Sequence, residues 1–205
     1  MAPEYWAKAK RELARQDPVM AAIIRQHPGM SLACRGEPFY TLARAIIGQQ
    51  ISVQAAATVW GRFEAVIGRV APGNVLRAST NDLRACGLSR RKCEYVVDLA
   101  RHFESGALVF DAWPMLGDDE VIAKLTAVRG IGRWTAEMFL IFNLLRPNVF
   151  PLADVGLQRA VALHYFSGRV ISLRTITRLG TRWAPWRSVA TWYLWRSLDP
   201  KPVSY

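Results

Sequence analysis

Between Leu125 and Asp154 the sequence LTAVRGIGRWTAEMFLIFNLLRPNVFPLAD gathers the residues best suited to chemistry: a lone carboxylate, two closely spaced glycines and a tryptophan. Asp154 precedes VGLQRAVALHY, so its side chain can cap a new helix by accepting a backbone N–H. Gly156, in the first turn of that helix, lowers its stability and suggests that some group approaches the backbone there. The ionisable residues near Asp154 in sequence are mostly arginines. A carboxylate isolated among cations, close to an aromatic-rich helix, can stabilise a developing positive charge. Gly130 and Gly132 leave the backbone bare, either for a tight reversal or for close approach to a ligand. The helix that follows them starts with N–H groups lacking intrahelical partners, which makes the turn a candidate phosphate site. Trp134 comes directly after this turn, and a flat aromatic side chain in that place can stack on a base.

The elements that must position these residues read as helices. Val121, Leu125 and Val128 give the segment entering the turn one apolar face, and Trp134, Met138, Ile141 and Leu145 give the outgoing helix a stripe. Upstream, residues 4–16 form a polar helical segment. Asp17-Pro18 then supplies a cap and a first-position proline for a second helix through Ile24. Glu37-Pro38 opens a third helix ending near Gly48, and Ser52 caps a long one over Val53–Ile67. Pro72-Gly73 reads as a turn. Ser79 with Asp82 resembles a capping box, and Ser89 caps a helix to about Glu104. Residues 105–117 are loop-like, and Asp118-Asp119-Glu120 places three carboxylates where a helix macrodipole favours them. Beyond Asp154 come helices near 154–165, from Ser172 towards Trp183, and a last one after Pro185 carrying Trp192 and Trp195. Almost nothing alternates with period two, so the expected fold is all-α, about ten short helices in one compact unit.

Composition limits the partner. The 205 residues are 51% apolar, enough for a substantial core. With 27 Lys+Arg against 16 Asp+Glu the net charge is +11. Residues 129–205 hold 11 of the basic and only 3 of the acidic groups, an excess that points to a polyanion. No apolar run approaches the roughly 20 residues that a membrane helix needs. The N-terminus MAPEYWAKAKRELARQ lacks the apolar core of a signal peptide, so a cytoplasmic location is expected. Cys34, Cys86 and Cys93 are then free thiols, too few to assemble an iron–sulfur or thiolate zinc site.

The run Leu125–Glu137, LTAVRGIGRWTAE, resembles the hairpin of the helix-hairpin-helix (HhH-GPD) DNA glycosylase superfamily. Phe150–Leu157, FPLADVGL, resembles that superfamily's catalytic-aspartate segment. Ala43–Ser52 (ARAIIGQQIS) and Ala184–Trp195 (APWRSVATWYLW) are similar to segments of its alkylpurine branch, the 3-methyladenine DNA glycosylase II type. The likeness spans essentially the whole chain in the same order.

That resemblance implies a two-lobed helix-hairpin-helix fold with the active site in the cleft between lobes: lobe A at about 46–132, ending in the hairpin, and lobe B at about 1–45 plus 133–205. It implies a monofunctional hydrolase of base excision repair that flips an alkylated purine out of damaged double-stranded DNA and cleaves its N-glycosidic bond. Asp154 would be catalytic, and Trp134, Met138 and Trp195 would line the base pocket. Gln49 and Gln50 would form the wedge that enters the duplex, and Gly130 and Gly132 would offer backbone N–H groups to a phosphate. A monovalent cation, Na⁺ or K⁺, would sit on the carbonyls of Thr126, Val128 and Gly130; no other cofactor is implied. Bifunctional relatives carry a Schiff-base lysine just after the Gly-x-Gly-x turn. Here that place is Trp134, so lyase activity is not expected. A monomer without membrane attachment is expected. Two other readings remain open: a non-catalytic helix-hairpin-helix module that only holds DNA, and a glycosylase for deaminated or mismatched bases.

Overall fold

A computed structural model of the protein describes residues 2–198, and among these every regular element is helical. The described residues form twelve α-helices: α1 (Trp6–Gln16), α2 (Pro18–Gln26), α3 (Pro38–Gly48), α4 (Val53–Ile67), α5 (Pro72–Arg77), α6 (Thr80–Ala85), α7 (Arg90–Glu104), α8 (Asp118–Thr126), α9 (Arg133–Phe142), α10 (Val155–Phe166), α11 (Leu173–Thr181) and α12 (Arg187–Leu198). No helix among the described residues is long and apolar enough to cross a membrane.

Six of the described helices start where a side chain takes up orphan N–H groups. Asp17 accepts from Val19 and Met20, Ser52 from Ala55, Ser89 from Lys92 and Ser172 from Thr175. Ser79 and Asp82 form the full reciprocal capping box. Pro72-Gly73 is not a turn but the start of α5, with Pro72 in the first helical turn, where its missing N–H costs nothing. The loop-like stretch before α8 contains a 3₁₀ turn, Phe110–Met115.

The chain divides into two compact units rather than one. Arg35–Phe139 forms one; the residues up to Cys34 together with those from Leu140 form the other. The junctions differ from the expected lobes at 46 and 132, for visible reasons. α3 packs on α4 and α7, which holds residues 38–48 in the first unit. Phe139, near the middle of α9, meets Phe110 and Trp113 edge-on at centroid separations of 6.2 and 5.3 Å. In this unit α7 is central, contacting α3, α5 and α6. In the other unit α12 plays that part against α1, α2 and α10.

Beneath α2 the second unit is tied together by a buried carboxylate. Asp17, besides capping α2, accepts from the Tyr165 hydroxyl (2.9 Å) and the Trp183 indole N–H (3.2 Å). Burial and the neighbouring Asp17 carboxylate push the Tyr165 hydroxyl well above its usual range. The stripe expected on α9 is broader than a stripe: from Thr135 through Asn143 every residue is buried, and the helix ends at Phe142, short of Leu145. A helix apolar on most of its circumference has no face to give to water.

Candidate functional site

In the Arg35–Phe139 unit the Gly-Ile-Gly turn joins α8 to α9. Val121, Leu125 and Val128 are buried, so the incoming face is as the spacing predicts. The two glycines have different reasons for being there. Gly130 has φ +87°, a left-handed conformation, and a Cβ on it would lie 2.3–3.0 Å from the Tyr95 side chain. No other residue fits, so Gly130 is a requirement of the turn itself. Gly132 has ordinary φ, and a Cβ there would meet nothing within 4 Å. Its bareness keeps open the approach to the first turn of α9.

The turn is held from α7, by partners that local sequence patterns do not reveal. Tyr95 lies under Gly130, and Asp98 accepts the Arg129 backbone N–H (2.9 Å) and pairs with its guanidinium (3.5 Å). Gln49 and Gln50, the expected wedge pair, behave unlike each other. Gln49 is half-buried, and its amide donates to the Gly130 carbonyl at 2.8 Å. Gln50 is exposed, with a left-handed φ of +59°.

Beside them is a cavity of about 440 Å³, lined among others by Arg44, Gly48, Gln49, Gln50, Val53 and Trp134. Trp134 keeps 37% of its surface exposed, and Ile51 and Val53 next to it are exposed as well. Exposed apolar side chains flanking a polar pair are the kind of surface that can wedge between bases. Met138, one turn beyond Trp134, is 8% exposed. Glu137, which the sequence patterns did not single out, is a buried carboxylate bonded to Arg133 (3.0 Å).

Asp154 and Trp195 belong to the other unit. Asp154 does cap α10: its Oδ1 accepts the Leu157 N–H at 2.6 Å. The same oxygen also accepts the Trp195 indole N–H at 2.8 Å, a contact spanning 41 residues of sequence. Trp195 is itself set by Phe142, on which it stacks at 5.8 Å with an interplanar angle of 13°. What approaches the backbone at Gly156 is now visible: a Cβ there would stand 3.1 Å from the Asp154 carboxylate and 3.3–3.4 Å from the Trp195 ring. The segment before Asp154 is fixed as well. Gln158 donates to the Leu152 carbonyl (2.8 Å), and the buried Ser188 hydroxyl accepts from the Val149 N–H (2.9 Å) and donates to the Arg146 carbonyl (2.6 Å). Phe150 packs against Gly180, where a Cβ would come within 2.6 Å of its ring. Arg169, Arg174, Arg178 and Arg182 in this unit are exposed, whereas Arg196 is buried.

The HhH-GPD superfamily of base excision DNA repair proteins matches residues 43–185 of this chain, a span that includes Gln49 and Gln50, the Gly-Ile-Gly turn and Asp154. The chain belongs to this superfamily. Among its relatives, the Bacillus subtilis protein YfjP is 33% identical over 88% of this chain and 66% of its own length. The chain thus spans about two thirds of that relative. A DNA-3-methyladenine glycosidase from Bacillus halodurans is similar in structure, with a TM-score of 0.87, 36% identity and coverage of 93% of this chain and 89% of that one. The 3-methyladenine DNA glycosylase Mag1 of Schizosaccharomyces pombe, solved in complex with abasic DNA, superposes with a TM-score of 0.79 at 28% identity, covering 96% of this chain and all of that one.

The three cysteines of this HhH-GPD member are free: Cys86 and Cys93 are buried, with burial raising both thiols above their usual range, and Cys34 is exposed. Among the described residues no three His, Cys, Asp or Glu side chains gather as a metal site would require.

Proposed function

We propose that this HhH-GPD protein is a monofunctional DNA glycosylase that excises alkylated purines of the 3-methyladenine and 7-methylguanine type from double-stranded DNA. The observation that carries the reading is the double hold on Asp154. A carboxylate needed only as a helix cap is complete with the Leu157 N–H. Here a second donor, the Trp195 indole, fixes the same oxygen, and Trp195 is in turn oriented by Phe142. A carboxylate oriented from two sides is preorganised to face charge that develops during a reaction. The names of the similar proteins from Bacillus halodurans and Schizosaccharomyces pombe, both acting on 3-methyladenine, support the substrate class.

Alkylation at N3 or N7 makes a purine cationic and a good leaving group, so no general acid is needed. What remains is to extrude the nucleotide and to stabilise the oxocarbenium-like sugar as the bond breaks. Asp154 supplies the negative charge for the second task and aligns or deprotonates the attacking water. Trp134 and Met138 receive the base, and the electron-rich indole favours an electron-poor, alkylated ring. Gln50 fills the gap left in the stack. The open N–H groups around Gly132 hold a phosphate, and the exposed arginines add sequence-independent affinity.

A Na⁺ or K⁺ ion at the hairpin would be held by the carbonyls of Thr126, Val128 and Gly130. The donor set fits: the Val128 carbonyl accepts from Ile131 and the Gly130 carbonyl from Gln49, and each oxygen has a second lone pair. Such an ion would add positive charge beside the phosphate.

With Trp134 in the place of the Schiff-base lysine, the product is an intact abasic strand. Release of free base should be measured from duplexes containing 3-methyladenine, 7-methylguanine, 1-methyladenine or hypoxanthine, alongside borohydride trapping. The expected result is release of the alkylated purines ahead of hypoxanthine and no covalent adduct. Preferred release of hypoxanthine would move the protein to the deaminated-base class, and efficient trapping would make it bifunctional.

A further inference from the structure

Two chain segments that the proposed function assigns to DNA, the hairpin turn and the Gln49-Gln50 loop, share one support. α7 presents Lys92, Tyr95 and Asp98 at spacings of three, which places them on one side of the helix. Lys92 Nζ donates to the Ile47 carbonyl at 2.7 Å, closing the C-terminus of α3 immediately before the loop. Tyr95 and Asp98 hold Gly130 and Arg129 of the hairpin. The remaining link runs directly between the two segments: the Gln49 amide donates to the Gly130 carbonyl.

We propose that Gln49 is a positioning residue that locks the wedge loop to the phosphate-binding turn, leaving Gln50 as the side chain that enters the duplex. The chemistry of the contact supports this division. A side chain whose amide hydrogen is spent on a backbone carbonyl 81 residues away is poorly placed to pair with a widowed base. Gln50, next to it, is exposed and held at φ +59°, a conformation that a residue with a Cβ keeps only where its surroundings impose it. The surroundings here are the closed end of α3 and the Gln49 tether before it, and the Ser52-capped start of α4 after it. When the turn grips a phosphate, the tether carries that position to the wedge, so that binding and insertion share one register.

This inference rests on the glycosylase reading, and the experiment separates the two. Gln49→Met keeps the length of the side chain and removes the donor; it is compared with Gln50→Ala and with the double variant. Three quantities are read: single-turnover excision of one alkylated purine opposite its normal partner, affinity for undamaged duplex, and backbone amide exchange of residues 49–51 and 130–132 in the free protein. Loss of one neutral hydrogen bond should slow excision about threefold, no more than loss of the Gln50 side chain itself. It should leave undamaged-duplex affinity unchanged, speed exchange in both segments, and add nothing further in the Gln50→Ala background. Losses that multiply in the double variant would overturn the proposal, because Gln49 would then act on DNA by itself. Unchanged excision and exchange would overturn it too. Faster exchange in a protein whose wild type releases no base would keep the tether and reject the glycosylase reading.

Discussion

The hairpin and the Asp154 segment are positioned by opposite means. The hairpin is largely a backbone device: Gly130 is forced by its left-handed conformation and by Tyr95, Gly132 stays open, Gln49 reaches a main-chain carbonyl, and Asp98 accepts a main-chain N–H beside its pairing with the Arg129 guanidinium. Asp154 is a side-chain device, set by one N–H of its own helix and by an indole that another aromatic ring holds in place. The difference matches the tasks proposed for them. A phosphate is the same at every nucleotide and can be met by main-chain N–H groups at a fixed turn. A developing charge on one sugar needs a single carboxylate aimed to within a fraction of an ångström. The two regions should therefore fail in different assays.

The largest effect is expected at Asp154. Asp154→Asn keeps shape and can still cap α10, but removes the charge. Single-turnover excision should fall by about 10²- to 10³-fold with duplex affinity retained. A variant that excises within a few-fold of wild type would end the distinction between the regions.

Gly132→Asp should do the reverse. It places a carboxylate where a phosphate is expected, so binding to damaged and undamaged duplex should drop together, by at least about tenfold, and with a shallower salt dependence. Titrations at several salt concentrations check this, and normal binding would show that the turn is structural and the DNA lies elsewhere. Gly130→Ala is the control for the turn itself: it should lower stability by about 1–3 kcal/mol through strain and the Tyr95 clash.

A smaller loss is expected for Trp195→Phe, which keeps a ring against Phe142 and removes the donor to Asp154. Excision should slow about five- to tenfold with affinity unchanged. An unchanged rate would mean that the Trp195 indole does not orient the carboxylate.

The mildest change belongs to Gln50→Ala. Excision should slow about threefold for a lesion that is well paired and hardly at all for the same lesion in a mismatch, where extrusion already costs less. Equal losses in both contexts would remove Gln50 from the wedge.

These two devices were unequally legible in the sequence. Caps were readable at Asp17, Ser52, Ser79 with Asp82, Ser89 and Asp154, because a cap and its partner lie within three residues. Pro72-Gly73 misled because the same pair can make a turn or start a helix, and the choice here fell to packing of α5 on α7. The stripe on α9 underestimated burial, since periodicity marks one apolar face and cannot show that a second surface covers the other side. The spacing of Gly130 and Gly132 marked the turn, but only φ and the position of Tyr95 separate their roles. Lys92, Tyr95 and Asp98 carry no local signature as supports, because the atoms they hold are 31 to 45 residues away. The bond from Trp195 to Asp154 is hidden for the same reason, although Gly156 marked the place where something had to come close.

The central question is whether this chain breaks a glycosidic bond or only holds DNA. The direct measurement is to incubate an end-labelled duplex carrying one 7-methylguanine with the protein, and to run it with and without hot alkali. The account predicts an intact strand before alkali and cleavage at the lesion afterwards, proportional to protein and abolished by Asp154→Asn. A duplex that is bound yet stays whole after alkali would contradict it and leave a DNA-holding module whose Asp154 is only a cap.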